Sequence, residues 1–546
     1  MTSIKEALRH RGYDSTRDSD PDLSINESME KEKDEKSHDE VVPEVDNRPW
    51  YSTFGLTNTW ALFLFLLTYL LNQLDRFLFG ITAKSMAQEI HFGDKACMIN
   101  TSFTANDLKV GNTTMKCNVG TEMNCAWLVN GDGLHPCKWD YNGQGIEYQI
   151  VAGPVFILIY TFAGIFISFA ADKYNRKIML ASCLIFWSAM TLLTGFVNSY
   201  WQIVILRFGL GLGEAGCTPF AASMIADYFP KQSRALALGV YNWGIYIGYS
   251  MSYAFGNFIT KADINHQGWR WSYFLAAIPG VIVGILLFLT VKDPPKQQTQ
   301  QKTDSTGQIQ TQGIGYKAKR VLTKFFNPSV ILLCLASSVR NSAGYVISYN
   351  TQQYFTDLGQ TKEQIGDYMS WIPIVGGTFS VTIGGFLSDR IVKKLGLYSR
   401  IIVIIVSLAC AAPFAAGTLY FMPPGAYLCQ IPTYIFGEMW IGITIAVIIE
   451  LIPADIRTTG IAVYLFIITN IGGNIQLLVP PIKASFKERG YTEISALRAA
   501  LYILYPGPYL YGAVAYVFVM FLMKRDQRRA EQNTYTRLQI PDTTTS

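Results

Sequence analysis

Twelve long apolar runs recur along the chain, at about residues 57–83, 149–171, 178–197, 200–224, 233–258, 271–292, 330–356, 363–388, 400–421, 424–450, 457–482 and 498–523. A bilayer's hydrocarbon layer is about 30 Å thick and takes roughly 20 residues of helix to cross. Each run therefore predicts a membrane-crossing helix, and the chain reads as an all-α membrane protein with twelve transmembrane helices. The first, fourth, seventh, tenth and eleventh runs carry charges or several amides; the others are more uniformly apolar. Composition agrees. Half of the 546 residues are hydrophobic and 16% are charged, against about 25% charged in soluble domains. That balance excludes a cytosolic enzyme, a disordered scaffold and a small secreted disulfide domain.

Charge sets the expected orientation. Residues 1–49 carry 8 Lys/Arg against 14 Asp/Glu, and the remainder is strongly basic. The acidic, Ser-rich head reads as a solvated tail without the apolar core of a secretory signal. The short loop Asp172–Lys177, the segment 292–329 and the run Lys524, Arg525, Arg528, Arg529 are all basic. Basic loops face the cytosol, and an even number of spans puts all three on the side of the N-terminus. Five parts follow: 1–55, a cytosolic acidic disordered tail; 56–292, an N-terminal six-helix bundle; 293–329, a cytosolic linker; 330–523, a C-terminal six-helix bundle; 524–546, a cytosolic tail.

The first loop, 84–147, then lies outside the cell or in a lumen. It holds Cys97, Cys117, Cys125 and Cys137 and two glycosylation sequons, at Asn100 and Asn112. Four cysteines in a polar loop, without C-x-x-C spacing, suggest two disulfides formed in an oxidising compartment. Three connectivities are compatible with the spacing. The other five cysteines are scattered through the spans and read as packing residues.

Two stretches match without gaps at an offset of 223 residues: Asp227 through Pro230 and Arg234 to Tyr241, and Glu450 through Pro453 and Arg457 to Tyr464. An acid precedes each at nearly the same distance, Glu214 and Glu438. The loops after spans two and eight match loosely through Asp172 and Arg176, and through Asp389 and Arg390. Two six-span halves in parallel orientation, joined by a basic linker, are the layout of a secondary transporter whose site lies between the halves.

Charged side chains inside spans are expensive, at about 2.5–3.5 kcal/mol each on insertion scales, and mark function. Asp75 and Arg76 are adjacent in span one and project about 100° apart on a helix, so they are not expected to pair mainly with each other. Arg207 and Glu214 share one face of span four, with Gly209, Gly211 and Gly213 between them for close helix packing. Burial and arginine charge pull the proton affinity of a carboxyl such as Glu214 in opposite directions, the situation a proton carrier needs. Asp75, Glu214 and Glu438 are the candidate proton-coupling groups; a static network locking the spans is the plainer alternative. Arg340 in span seven has a fixed charge and forked donors suited to an anionic head group, unless it snorkels to the membrane surface. Glu438 could be its partner. Arg76, Asn341, Tyr345, Tyr241, Asn242 and Asn470 complete the candidate substrate-binding set; interhelical hydrogen bonding is the alternative for these. Asp172, Arg176, Asp227, Arg234, Asp389, Arg390, Glu450 and Arg457 occupy corresponding helix ends in the two halves and are expected to form a gate. No G-x-x-x-x-G-K-[ST], H-E-x-x-H or G-x-S-x-G motif occurs, so neither nucleotide-driven pumping nor hydrolysis is supported.

These residues carry a family resemblance. The acid-x-x-x-Arg-Lys loops resemble the signature loop of the major facilitator superfamily. The NQLDR run at 72–76, DKYNRK at 172–177, and the span-four run from Arg207 to Ala215 with Asp227 are similar to the Spinster-like branch. The superfamily resemblance covers about 57–523 and the branch detail the N-terminal half. It implies the superfamily's two-bundle fold and the gate role above. For substrate it implies an amphiphilic lipid of lysophospholipid or sphingoid type; the expected transport is by alternating access, either facilitative or coupled to protons through the buried carboxylates. Span four is also similar to that of organic-anion transporters of the superfamily, so a small organic anion is the second substrate class. A non-translocating receptor or scaffold is the third reading. No cofactor, metal or nucleic acid is expected, and the chain is expected to act as a monomer. The YTRL run at 535–538 fits a sorting signal, which leaves plasma and endolysosomal membranes both open.

Overall fold

The computed structural model describes residues 55–99, 109–110, 113–114, 137–229, 231–294, 314–396, 398–452 and 457–539. A helix occupies each of the twelve expected positions. Eleven helices among the described residues are long and apolar enough to cross a membrane. The twelfth, span five, is the helix Lys231–Ala254, and it is the polar one. Its Tyr241, Tyr246, Tyr249, Ser250, Ser252 and Tyr253 are buried in the protein, so the segment has little need of the apolar surface that lipid demands.

Local chemistry sets several helix starts. Asn175 caps span three (Arg176–Thr194), its side chain accepting from the Ile178 amide at 3.2 Å. Asn327 caps span seven (Pro328–Asp357) through the Ser329 amide at 3.1 Å, with proline at the first helical position where no amide is needed. Thr361 and Gln364 form a capping box at the start of span eight, satisfying two orphan donors at once. The linker contains an additional helix, Ile314–Phe325. The last helix, Pro506–Gln539, runs well past the twelfth apolar run.

The first loop departs from an all-helical picture. Lys95–Ile99 pairs antiparallel with Cys137–Tyr141, placing Cys97 opposite Trp139 and Ile99 opposite Cys137, and Lys109–Val110 pairs with Thr113–Thr114. The side chains of the four loop cysteines, and the sequons at Asn100 and Asn112, lie outside the described residues.

Glycines let the spans close up. A Cβ at Gly211 of span four would sit 2.8 Å from the Phe156 carbonyl of span two, and one at Gly377 of span eight would run into the Tyr246 ring of span five. The second contact joins the halves. Gly377→Val is expected to lower the thermal midpoint in detergent by several degrees, within the 1–3 kcal/mol typical of overpacking; the same change over Tyr246→Ala should cost far less. Equal losses in both backgrounds would mean that the seam does not close this way.

Most of the polar contacts between the halves gather at the end that bears the first loop. Tyr148 Oη donates to the Tyr349 carbonyl at 2.7 Å. Asn257 and Gln352 exchange two side-chain hydrogen bonds of 3.1 and 2.8 Å. Lys362 reaches Ser85 at 2.7 Å, Lys483 reaches Gln144 at 3.3 Å, and Lys261 pairs with Glu363. Asn257 lies in a π-helical segment, Phe255–Ile259, whose wider turn displaces side chains from the regular helical track. Asn257→Ala would strand two polar groups of the buried Gln352, at about 1–3 kcal/mol. It is expected to raise thiol labelling of a cysteine placed at Ser85 by ~10-fold.

Candidate functional site

Two arginine–glutamate pairs lie inside the protein, one in each half. Arg76 of span one donates through Nε and Nη2 to Glu214 Oε2 of span four, at 3.2 and 3.0 Å. Arg340 of span seven donates through Nη2 to Glu438 Oε1 of span ten at 2.8 Å. Glu214 is completely buried and Arg340 is 1% exposed, so Arg340 is not a snorkelling residue. The Glu438 side chain keeps 21% exposure.

Each acid sits where its helix breaks. Span four is split into Tyr200–Glu214 and Cys217–Tyr228, and span ten into Gly425–Gly437 and Trp440–Leu451. Pro219 has no amide to continue the first ladder. The second break has no such proline. There the Arg340 guanidinium takes the Gly437 carbonyl, at 3.1 and 2.7 Å, a tertiary contact that interrupts the helical ladder.

Aromatic rings complete both guanidinium sites. Arg76 lies 4.4 Å from the Tyr160 ring centroid, and Arg340 lies 4.7 Å from Tyr509 and 5.4 Å from Trp440. Such stacking suits the delocalised cation. Tyrosines also reach across the molecule: Tyr345 and Tyr349 of span seven lie beside Arg76, and Tyr246 of span five lies beside Arg340 and Glu438. Each pair is thus faced by hydroxyls of the opposite half.

The other candidates fall around this centre. Asp75 is buried next to Thr191 and Trp187 of span three, and its Oδ1 has no hydrogen-bond partner. Arg207 stacks on Phe79 at 4.3 Å and donates to the Arg76 carbonyl at 3.3 and 3.4 Å. Asn341 donates to the Ile468 carbonyl at 3.0 Å, and Asn470 donates to Thr161 of span two at 2.8 Å. Tyr241 stacks on Tyr69, centroids 4.5 Å apart. Asn242 is half-buried.

The helix-end charges form two clusters, each within its own half. Arg176 binds Asp227 at 2.5 Å, Asp293 at 2.9 Å and Ser223 at 2.8 Å. Arg400 binds Glu450 at 3.0 Å and Ser388 at 2.9 Å. Arg400 and Asp293 are absent from the expected gate set. Arg400 follows Arg176 by 224 residues, the spacing of Glu214 and Glu438 and one more than the gap-free repeat offset; the Arg and Lys residues of the loops match instead at Arg390, which is exposed and lies near Phe386. The side chains of Asp172, Arg234, Asp389 and Arg457 lie outside the described residues.

Comparison with known proteins places this architecture. The sequence profile of the Major Facilitator Superfamily matches residues 65–476, three quarters of the chain. This chain belongs to the Major Facilitator Superfamily. It is a multi-pass membrane transporter of that superfamily, and not an enzyme. It is 24% identical over 397 residues to an MFS-type efflux pump of Mycolicibacterium smegmatis, covering 72% of this chain and 88% of the pump. It is 31% identical over 154 residues to the sphingosine-1-phosphate transporter SPNS2 of Xenopus tropicalis, covering 28% of this chain and 29% of that protein. Human protein spinster homolog 1 is 30% identical over 152 residues, 28% of each chain. The chain thus aligns with under a third of the length of these two relatives. A solved structure of a bacterial homolog of the human lysosomal transporter Spinster, inward-facing and unoccupied, superimposes with a TM-score of 0.62 at 20% identity, covering 86% of this chain and 96% of that one.

Proposed function

We propose that this Major Facilitator Superfamily member moves an amphiphilic lipid of lysophospholipid or sphingoid type by alternating access, coupled to protons. The two six-span halves rock about the site between them. The observation that carries the reading is the repeated buried arginine–glutamate pair, each at a helix break and each faced by tyrosines of the other half. A fixed guanidinium beside a carboxylate offers an anionic head group a place to bind when the carboxylate gives way. Asp75, Glu214 and Glu438 are the proton-coupling groups, and Arg76, Arg340 and the neighbouring tyrosines and asparagines contact the ligand. Partial similarity to a sphingosine-1-phosphate transporter supports the lipid class.

Packing along the seams favours a second reading, a small organic anion. Tyr246 packs against Gly377 between spans five and eight, and Phe162 meets Phe466 between spans two and eleven at 5.1 Å. Such closure suits an enclosed polar chamber.

The described conformer is closed at the first-loop end. The clusters around Arg176 and Arg400 are then the halves of a gate at the other end, exchanging partners across the molecule when that end shuts. In this reading the termini and linker are cytosolic, and the first loop is extracellular or lumenal, glycosylated at Asn100 and Asn112 and held by disulfides among Cys97, Cys117, Cys125 and Cys137. The protein works as a monomer in the plasma or endolysosomal membrane.

Uptake by proteoliposomes under an imposed pH gradient tests the proposal, using a sphingoid phosphate, a lysophospholipid and a small carboxylate in parallel. Gradient-stimulated lipid uptake is the expected result. Uptake of the carboxylate alone selects the second reading. Gradient-independent uptake removes proton coupling, and no uptake of any ligand favours a receptor or scaffold.

A further inference from the structure

The linker helix Ile314–Phe325 has the sequence IGYKAKRVLTKF. At 100° per residue, Ile314, Ala318, Val321, Leu322 and Phe325 fall within one arc about 100° wide, and Lys317, Lys319, Arg320 and Lys324 fall outside it. The helix carries four cations and no acid. Phe325, the last residue of the helix, is buried in the core of the second half, while Leu322 is 60% and Phe326 72% exposed.

A second basic surface adjoins it. Ser329, just past the linker helix, donates to Asp526 of the last helix at 2.5 Å. Lys524, Arg525, Arg528 and Arg529 of that helix are exposed, as are Lys319 and Lys324. Asp526 pairs with Arg525 at 3.4 Å and offsets one of these charges, which leaves the surface net positive. Lys524 lies over Tyr398 at the start of span nine, 5.5 Å from the ring centroid. Three chain segments distant in sequence thus meet at one end of the second half, where the spans leave the hydrocarbon.

We infer that this surface is a binding site for the headgroups of anionic phospholipids in the adjoining leaflet. Clustered Lys and Arg beside a membrane span attract anionic lipid, and the attraction falls off within a Debye length. Exposed Leu322 belongs to a short basic amphipathic helix of the kind that lies in a membrane surface with its apolar side in the acyl boundary, and exposed Phe326 follows directly after it. The site holds the linker on the bilayer beside span seven. It uses none of the residues assigned to substrate or protons, and needs only that spans seven and twelve cross the membrane.

The test is thermal unfolding of the full-length protein in detergent micelles doped with phosphatidylglycerol or with phosphatidylcholine. Phosphatidylglycerol is expected to raise the midpoint several degrees more than phosphatidylcholine, and 0.5 M salt is expected to abolish the difference, since the Debye length falls to roughly 4 Å. Lys319→Gln with Lys324→Gln, and Arg528→Gln with Arg529→Gln, should each reduce the difference by at least half and together remove it. A salt-insensitive difference, or one that survives in both double variants, overturns the proposal. Equal stabilisation by soluble inositol hexakisphosphate overturns it as well, pointing to a free-anion site. Should the variants not fold, the salt response of the unaltered protein still decides. The readout involves no transport, so failure here leaves the carrier reading standing, and failure of uptake leaves this site standing.

Discussion

Glu214→Gln is expected to abolish gradient-driven uptake, by ~100-fold or more, while exchange of ligand across a membrane without a gradient continues. Glu214 is completely buried, and its Oε2 takes two hydrogen bonds from Arg76. Glutamine keeps the size and the acceptor but cannot bind or release a proton. It also leaves the Arg76 guanidinium without a counter-charge, and breaking a buried pair in this way costs about 3–5 kcal/mol. Each 1.36 kcal/mol is a factor of ten, so even the low end of that range reaches the expected loss if it falls on one step of the cycle. Net uptake and counterflow in the same vesicles separate the outcomes. Unaltered net uptake would remove Glu214 as the carrier. Parallel loss of both activities with a lowered thermal midpoint would reduce the pair to a structural lock. Asp75→Asn in the same assay asks whether the buried carboxyl of span one shares the task.

The second large effect belongs to Arg340. Arg340→Met removes the partner of Glu438 and of the Gly437 carbonyl together. It is expected to cut uptake by ~100-fold and lower stability by several kcal/mol, as for a stranded buried charge. Adding Glu438→Gln should restore most of the stability, because the leftover charge is gone. It should not restore uptake, because the fixed cation is still missing. The double-mutant cycle thus separates the structural cost of the pair from its role toward ligand. Full uptake in the double variant would show that the pair serves the fold alone. Arg340→Lys is expected to resemble the methionine variant in uptake, since an ammonium cannot reproduce the fork onto Gly437 and Glu438.

Much of this architecture was legible in the chain because lipid enforces it. Eleven spans declare themselves by length and apolarity alone, and the offset of 223 joins the two halves. Span five is more polar than the others, because its Tyr and Ser residues are buried against protein and not lipid. The pairing of Arg340 with Glu438 is among the readings those residues allow. The helix breaks at both acids were not foreseen. Pro219 is a local signal for the first, but the second arises from the reach of Arg340 across to Gly437, which no window of sequence contains. The repeat also hid its own geometry. Arg76 and Arg340 stand 264 residues apart while their partners stand 224 apart, because the long first loop has no counterpart in the second half. The ribbons of that loop are short and their pattern is weak, so helix-dominated surroundings masked them. Arg400 stands one residue off the 223 offset, so its correspondence to Arg176 shows only in the fold.

The final helix, Pro506–Gln539, has 34 residues, which at 1.5 Å each make a rod of ~51 Å. The hydrocarbon layer accounts for about 30 Å of it, so roughly 20 Å stands clear of the acyl chains as a pointer rigidly continuous with the second half. A swing of about 10° between the halves would carry its tip some 3–4 Å sideways by that rise per residue. A distance probe pair with one member on that rod and the other on the opposite half would therefore see the working stroke magnified, without any label near the interior where ligand travels.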